Sequence, residues 1–341
     1  MKICICGGGN IGHVVAGFVA AQNKYEVCIF TQRPEQWSND LVIDAPNETT
    51  YSGHLNGIYS DAKQAVSDAD IVLLCLPGYA IRNTLLKIKD DLKPNAAVGS
   101  VVSSTGFFFQ AMELLSSKQV LFGFQRVPFI SRVIEYGHRA RLMGYKDCLH
   151  MAVEHTEHPE QIRDVLADML QTPIQLLDSY YEVSISNSNP LLHPSRLYSL
   201  WKDWIEGDSY SRIPLFYEEW TEEAAQLYID MDNEMHDLLR LLPVKDGSIP
   251  TVLQYYESTD AVSLASKLRS IEAFKGIKAP MIEVEGGFIP DFNSRYFTWD
   301  FPYGLSIVRE LTHKYNVPSP TIDRIYDWGM KMINKQNEAR G

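Results

Sequence analysis

Three glycines within the first dozen residues constrain how this chain begins to fold. Lys2 to Cys6 is a short apolar run, the chain breaks at Gly7-Gly8-Gly9, and apolar residues then recur at helical spacing as Ile11, Val14, Val15, Phe18 and Val19. A second apolar run, Tyr25–Phe30, follows at the distance a strand–helix–strand unit needs. In that setting the pattern G-x-G-x-x-G has a mechanical meaning. Gly7 suits the tight turn, Gly9 lets the backbone approach an anion with no Cβ in the way, and Gly12 lets the helix lie close to the strand. The unpaired amides of the helix start, Asn10 and Ile11, then face that anion. Residues 2–33 therefore read as a unit that holds the diphosphate of a dinucleotide.

The end of the second strand bears on which dinucleotide. A unit that holds NAD usually carries Asp or Glu there, about 20 residues past the glycines, to bind the ribose hydroxyls. Here the place is taken by Thr31-Gln32-Arg33, with no acid before Glu35. A hydroxyl and an amide can donate to a 2′-phosphate, and Arg33 can pair with it through two bonds. NADP(H) is the expectation, with NAD(H) admitted. Farther on, Asp70-IVLLCLP-Gly78 is an almost continuous apolar run, as in a strand buried on both faces of a parallel sheet. Its C-terminal end, Leu76-Pro77, falls at the same sheet edge as the glycine loop and is expected to touch the cofactor.

At 341 residues the chain is long enough for about two domains. A net charge of −12 argues against a nucleic-acid surface, which needs clustered Lys and Arg. No stretch approaches the length of a membrane span, and the first strand begins at residue 2, so the expectation is a cytoplasmic protein with no membrane partner. Five cysteines make no disulfide framework in a chain this long; four of them, Cys4, Cys6, Cys28 and Cys75, sit in apolar runs as small hydrophobes. No His or Cys spacing matches a metal site.

Residues 34–60 form a polar, turn-rich stretch broken by Pro34, Pro46 and Gly53, with no recognisable chemistry. A short helix over 61–68, a helix after Gly78 and a strand over 96–103 follow. Phe124-Gln125-Arg126-Val127-Pro128 is polar in apolar surroundings, so Gln125 or Arg126 at a strand end can bind a substrate carboxylate. Beyond the polar break Ser184–Pro190 the apolar period becomes helical over 221–242, 260–274, 304–315 and 321–333. The fold class expected is an α/β Rossmann-type nucleotide-binding domain, residues 1–180, followed by an all-α C-terminal domain, residues 181–341.

Two blocks of the second half combine the residue types that hydride transfer to a carbonyl or imine requires. Asn187-Ser188-Asn189-Pro190-Leu191-Leu192-His193-Pro194 holds a histidine able to exchange a proton near neutral pH. Asn293-Ser294-Arg295-Tyr296-Phe297-Thr298-Trp299-Asp300 holds a fixed cation for a carboxylate and an acid that can orient the histidine.

The fingerprint Gly7–His13, the block Asn189–Pro194, and Arg295–Leu305 with the closing Val317–Asp323 together resemble the octopine/nopaline (opine) dehydrogenase family, from residue 2 to about Ile325. The resemblance implies a Rossmann domain joined to a helical domain, and reduction of the imine formed between an amino acid and a 2-oxo acid such as pyruvate. It implies His193 as general acid/base with Asp300 as its partner, Arg295 on a substrate carboxylate, and Asn189 near nicotinamide or substrate. Trp299 departs from the acidic residue expected before the dyad aspartate, so octopine itself is not implied. Two other readings stay open: a plain 2-oxo acid reductase of the ketopantoate reductase type, for which Lys202 is the nearest lysine, and a catalytically silent NADP(H) sensor. Oligomeric state is open, a homodimer being one option.

Overall fold

The apolar runs of the first half become the middle of one sheet. In this computed structural model, which describes residues 1–338, the strands of the first half are β1 (Lys2–Cys6), β2 (Glu26–Phe30), β3 (Asp40–Asp44), β4 (Thr50–His54), β5 (Gly57–Tyr59) and β6 (Ile71–Leu74). They continue with β7 (Ala97–Ser100), β8 (Val120–Phe124), β9 (Phe129–Glu135), β10 (Arg139–Tyr145), β11 (Leu149–Glu154) and β12 (Ile174–Leu176). Eight of them form a sheet in the order β12-β11-β8-β7-β6-β1-β2-β5, parallel throughout except where β11 meets β8. β1 is buried on both faces: Ile3 and Ile5 enter one core, Cys4 and Cys6 the other. All five cysteines are free, and Cys148 is exposed.

The helix that follows the glycines, α1 (Asn10–Ala20), is buried along nearly its whole length because it has a sheet on each side. The second sheet runs β4-β3-β10-β9 and is drawn from two distant segments. Residues 34–60, expected as an irregular stretch, supply three strands. The reason they escape a hydropathy reading lies in the contact itself. A Cβ on Gly17 would come within 2.6 Å of Ile43, and one on Gly53 within 2.8 Å of the Ala21 nitrogen, so strand and helix meet backbone to backbone. Helices α2 (Ala62–Val66), α3 (Gly78–Ile88), α4 (Phe107–Leu114), α5 (Pro159–Leu170) and α6 (Tyr180–Ile185) complete this first unit, Met1–Ser186; α6 packs on β11 and α4.

The second unit begins at Asn187 and is built on α7 (Asn189–Trp201), which packs on α8 (Glu222–Leu239) and on the last helix. Thr221 caps α8 by accepting from the Ala224 amide at 3.1 Å, with Glu222 and Glu223 in the first turn where the helix dipole favours them. Then come α9 (Val252–Tyr255), α10 (Ala261–Ser270), α11 (Arg295–Thr298), α12 (Ser306–Lys314) and α13 (Pro320–Glu338). One antiparallel hairpin, β13 (Met281–Val284) with β14 (Gly287–Pro290), interrupts the helices. A π-helical turn, Phe301–Leu305, joins α11 to α12. It lies against the first turn of α7, where a Cβ on Gly304 would come within 2.6 Å of Pro190. Among the described residues no helix is long and apolar enough to cross a membrane.

Candidate active site

In the first unit the C-terminal ends of β1, β2, β5 and β6 border a groove of about 360 Å³. Gly7 has φ +121°, and a Cβ there would lie 2.6 Å from the Cys75 carbonyl oxygen; only glycine serves. Gly9 has open space where its Cβ would be. Gly12 leaves no room for a side chain against the Gly7 carbonyl. α1 has neither a side-chain cap nor an acid in its first turn, so its leading amides are free to donate to an anion. This is a cradle of the shape and charge a dinucleotide diphosphate needs.

Of the residues expected to bind the cofactor, Gly7, Gly9, Thr31, Arg33, Leu76 and Pro77 line the groove. Asn10, Ile11 and Gly12 do not: the Asn10 side chain accepts from the Val133 amide at 2.8 Å, and Ile11 packs on the core. Groove residues that sequence reasoning passed over include Ser60, Thr84, Lys87 and Tyr136. Lys87 lies on the exposed face of α3, where nothing distinguishes it from a solvated lysine. His13 was also missed as a joint. Its Nδ1 bonds the Gly9 carbonyl at 2.9 Å and its Nε2 accepts from the Gly137 amide at 2.7 Å, with the ring stacked on Trp37. It thereby ties the glycine loop to the tip of the β9–β10 hairpin.

In the second unit the structure brings His193 and Asp300 together. His193 projects from α7 and Asp300 immediately precedes the π-helical turn, and the Gly304–Pro190 contact brings those segments within reach of each other. Nδ1 of His193 lies 2.7 Å from Asp300 Oδ2, and Nε2 lies 3.0 Å from the Tyr217 hydroxyl. The His193 side chain is buried, with Tyr296 edge-on at 4.6 Å. With Asp300 ionised, the neutral ring carries its proton on Nδ1 and accepts from Tyr217 at Nε2. Arg295 sits 5.8 Å from the centre of the Tyr296 ring, which in turn stacks on Phe216. A buried histidine held at both nitrogens, a carboxylate and a neighbouring guanidinium form a set able to bind an organic acid and move a proton.

Residues 176–333 match the alpha-helical domain of NAD/NADP octopine/nopaline dehydrogenase, and residues 2–103 match NADP oxidoreductase, coenzyme F420-dependent. The opine dehydrogenase of Haliotis discus hannai is 28 % identical, over 98 % of this chain and 91 % of its own. The helical half of this chain is thus of the octopine/nopaline dehydrogenase type, and the chain is similar to opine dehydrogenases over nearly its whole length. Like its relatives it is an NAD(P)-dependent oxidoreductase of α/β plus helical build. An octopine dehydrogenase solved with NADH and L-arginine has the same fold, with a TM-score of 0.85 at 24 % identity over 98 % of this chain and 90 % of that one. So does an NADP⁺-bound yersinopine dehydrogenase, with a TM-score of 0.73 at 13 % identity over 100 % and 93 %.

The remaining expected site residues are spread over both units. Asn189 opens α7, its amide donating to Asn187 Oδ1 at 3.3 Å. Gln125 and Arg126 follow β8 in the first unit, Gln125 half-buried and Arg126 exposed. Lys202, the lysine nearest the His193 block, is ion-paired with Glu223. Tyr217 was not legible as a site residue: it lies 24 positions from His193, between helices, in no periodic pattern.

Proposed function

We propose that this protein is an opine dehydrogenase that condenses an amino acid with a 2-oxo acid and reduces the resulting imine, with NADP(H) preferred over NAD(H). The observation that carries the reading is the His193–Asp300 pair, 2.7 Å apart, in a helical unit of the opine dehydrogenase type. The first unit serves as the nucleotide domain and the second as the substrate domain. Arg295 neutralises a substrate carboxylate, with Asn189 of the same unit as a further polar contact. His193, protonated and steadied by Asp300, gives its proton to the hydroxyl of the amine adduct, which leaves as water; the imine is then ready for reduction. A reduced nicotinamide dinucleotide bound at the glycine loop supplies the hydride.

Preference for NADP(H) is supported by charge. The groove is lined by two cations, Arg33 and Lys87, and by no Asp or Glu, so nothing there repels a 2′-phosphate. Thr31 and Ser60 add hydroxyl donors. The test is cofactor oxidation with pyruvate, with and without a pool of amino acids, using NADPH and then NADH. Turnover that needs both acids and is faster with NADPH is expected. Turnover with pyruvate alone would replace the condensation with simple carbonyl reduction.

A further inference from the structure

The catalytic nitrogen of His193 is not open. Once Nδ1 is given to Asp300, Nε2 is the atom left for proton transfer, and the Tyr217 hydroxyl covers it at 3.0 Å. Tyr217 is 4 % exposed, and its ring is clamped between neighbours: it stacks on Phe274 at 4.0 Å and lies parallel to Trp220 at 5.9 Å. The backbone on either side is fixed by the buried Arg196 of α7, which donates to the carbonyls of Phe216 at 2.9 Å and Glu219 at 2.8 Å. Arg196 stands three residues after His193 on the same helix, so one helix carries the imidazole and also holds the segment that presents the hydroxyl to it.

We infer that Tyr217 is a positioning residue that fixes His193 Nε2 and favours the protonated form of the ring. When the imidazole is neutral, the Tyr217 O–H donates to Nε2. When it is protonated, Nε2–H donates to the Tyr217 oxygen until the adduct hydroxyl takes that place. The second bond is charge-assisted and the stronger of the two, so the hydroxyl stabilises the cation more than the neutral ring. The charged and titratable groups around this pair are Asp300, which favours the cation, Arg295 and the buried Arg196, which oppose it, and the phenols Tyr296 and Tyr256. All five are kept when Tyr217 is changed. The phenol itself resists ionisation because burial raises its pKa, so it does not compete as a charge. The inference rests on the reading of His193 as the proton-transfer group.

The experiment is Y217F, which keeps the ring stack and removes only the hydroxyl. Two readouts are taken on the full chain: titration of the His193 ring by NMR with ¹⁵N-histidine, assigned by H193Q, and the pH profile of kcat/KM in the condensation assay. The expected result is a His193 titration midpoint lower by about 0.5–1 pH unit, with the corresponding limb of the profile displaced the same way. A midpoint unchanged in folded Y217F, as judged by its thermal melt, would overturn the inference. The NMR titration needs no turnover. A lowered midpoint without condensation activity therefore sinks the proposed reaction and leaves Tyr217 in its role, and the opposite pattern does the reverse.

Discussion

Gly7 and Gly9 are two residues apart in one loop, yet alanine at each should fail in a different assay. Gly7 has φ +121°, and an added Cβ would lie 2.6 Å from the Cys75 carbonyl oxygen and 2.8 Å from Leu76 Cδ2. Cys75 cannot easily retreat, because its amide donates to the Cys6 carbonyl at 2.8 Å and so extends the β1–β6 pairing. Strain at such a φ costs roughly 1–3 kcal/mol and the overlap a similar amount. Gly7→Ala should therefore lower the melting temperature of the first unit by on the order of 10 °C. Gly9 has φ −87° and ψ −173°, ordinary extended backbone, and nothing lies within 4 Å of its virtual Cβ. Gly9→Ala should keep the melting temperature within about 2 °C of wild type, or raise it slightly through the unfolded chain. Its nucleotide affinity should nonetheless fall, since the methyl occupies the space an anion must enter to reach the α1 amides. Losing one charge-assisted hydrogen bond costs about 1.5–3 kcal/mol, roughly ten- to a hundredfold in Kd. Thermal melts and NADPH fluorescence titrations of the two variants decide the matter. A Gly9→Ala protein that binds NADPH as wild type does, or melts as early as Gly7→Ala, would refute the account of the loop.

Two pH effects follow from buried groups. Burial pushes the Asp232 carboxyl up to about 7, against the lowering effect of the Val252 amide that donates to it at 2.9 Å. The folded chain then holds a proton that the unfolded chain has already lost, so stability should fall by at most about 4 kcal/mol as the pH rises from about 4 to 7. Denaturant melts of Asp232→Asn across that range should lack this slope. His13 behaves oppositely: burial lowers its pKa from the ordinary 6.5, and its two hydrogen bonds need the neutral ring. Stability should be lost as the pH falls below about 6.5, where the unfolded chain gains a proton the folded one refuses. His13→Gln should show less acid sensitivity in the same melts.

The first strand, the glycine turn and α1 were legible in the sequence because each obeys a local rule: a buried run, a backbone conformation open only to glycine, a helical period. The long helices of the second unit were legible for the same reason. The second sheet was not. Thr50-Tyr51-Ser52-Gly53-His54 pairs as β4 but shows little apolar alternation, since of the residues it turns to α1 only Tyr51, on Phe18, is large, and Gly53 meets the helix backbone directly. The absence of a side chain leaves no hydropathy signal. His193 and Asp300 could be singled out by residue type, and a known family pattern joined them across 107 positions. Tyr217 and Lys87 match no motif. Each acquires its place from tertiary contacts: the Arg196 bonds that hold the 216–219 segment, and the meeting of α3 with the end of β2 at one groove.

The second sheet also bears on the order in which the chain folds. Its central pairing joins Val42 to Arg139 in parallel, a closure across most of the first unit, whereas β1, α1 and β2 are neighbours in the chain. Contacts of high sequence separation are slow to form, because the loop between them must first be restrained. The eight-stranded sheet supplies that restraint by assembling β5 to β8 from the intervening residues. The β9–β10 hairpin can then dock on α1 through Asn10 and His13. Until that late step α1 lacks one of its two walls, so a nascent chain acquires its nucleotide-binding strand early and the rigid form of its glycine loop only near the end of folding.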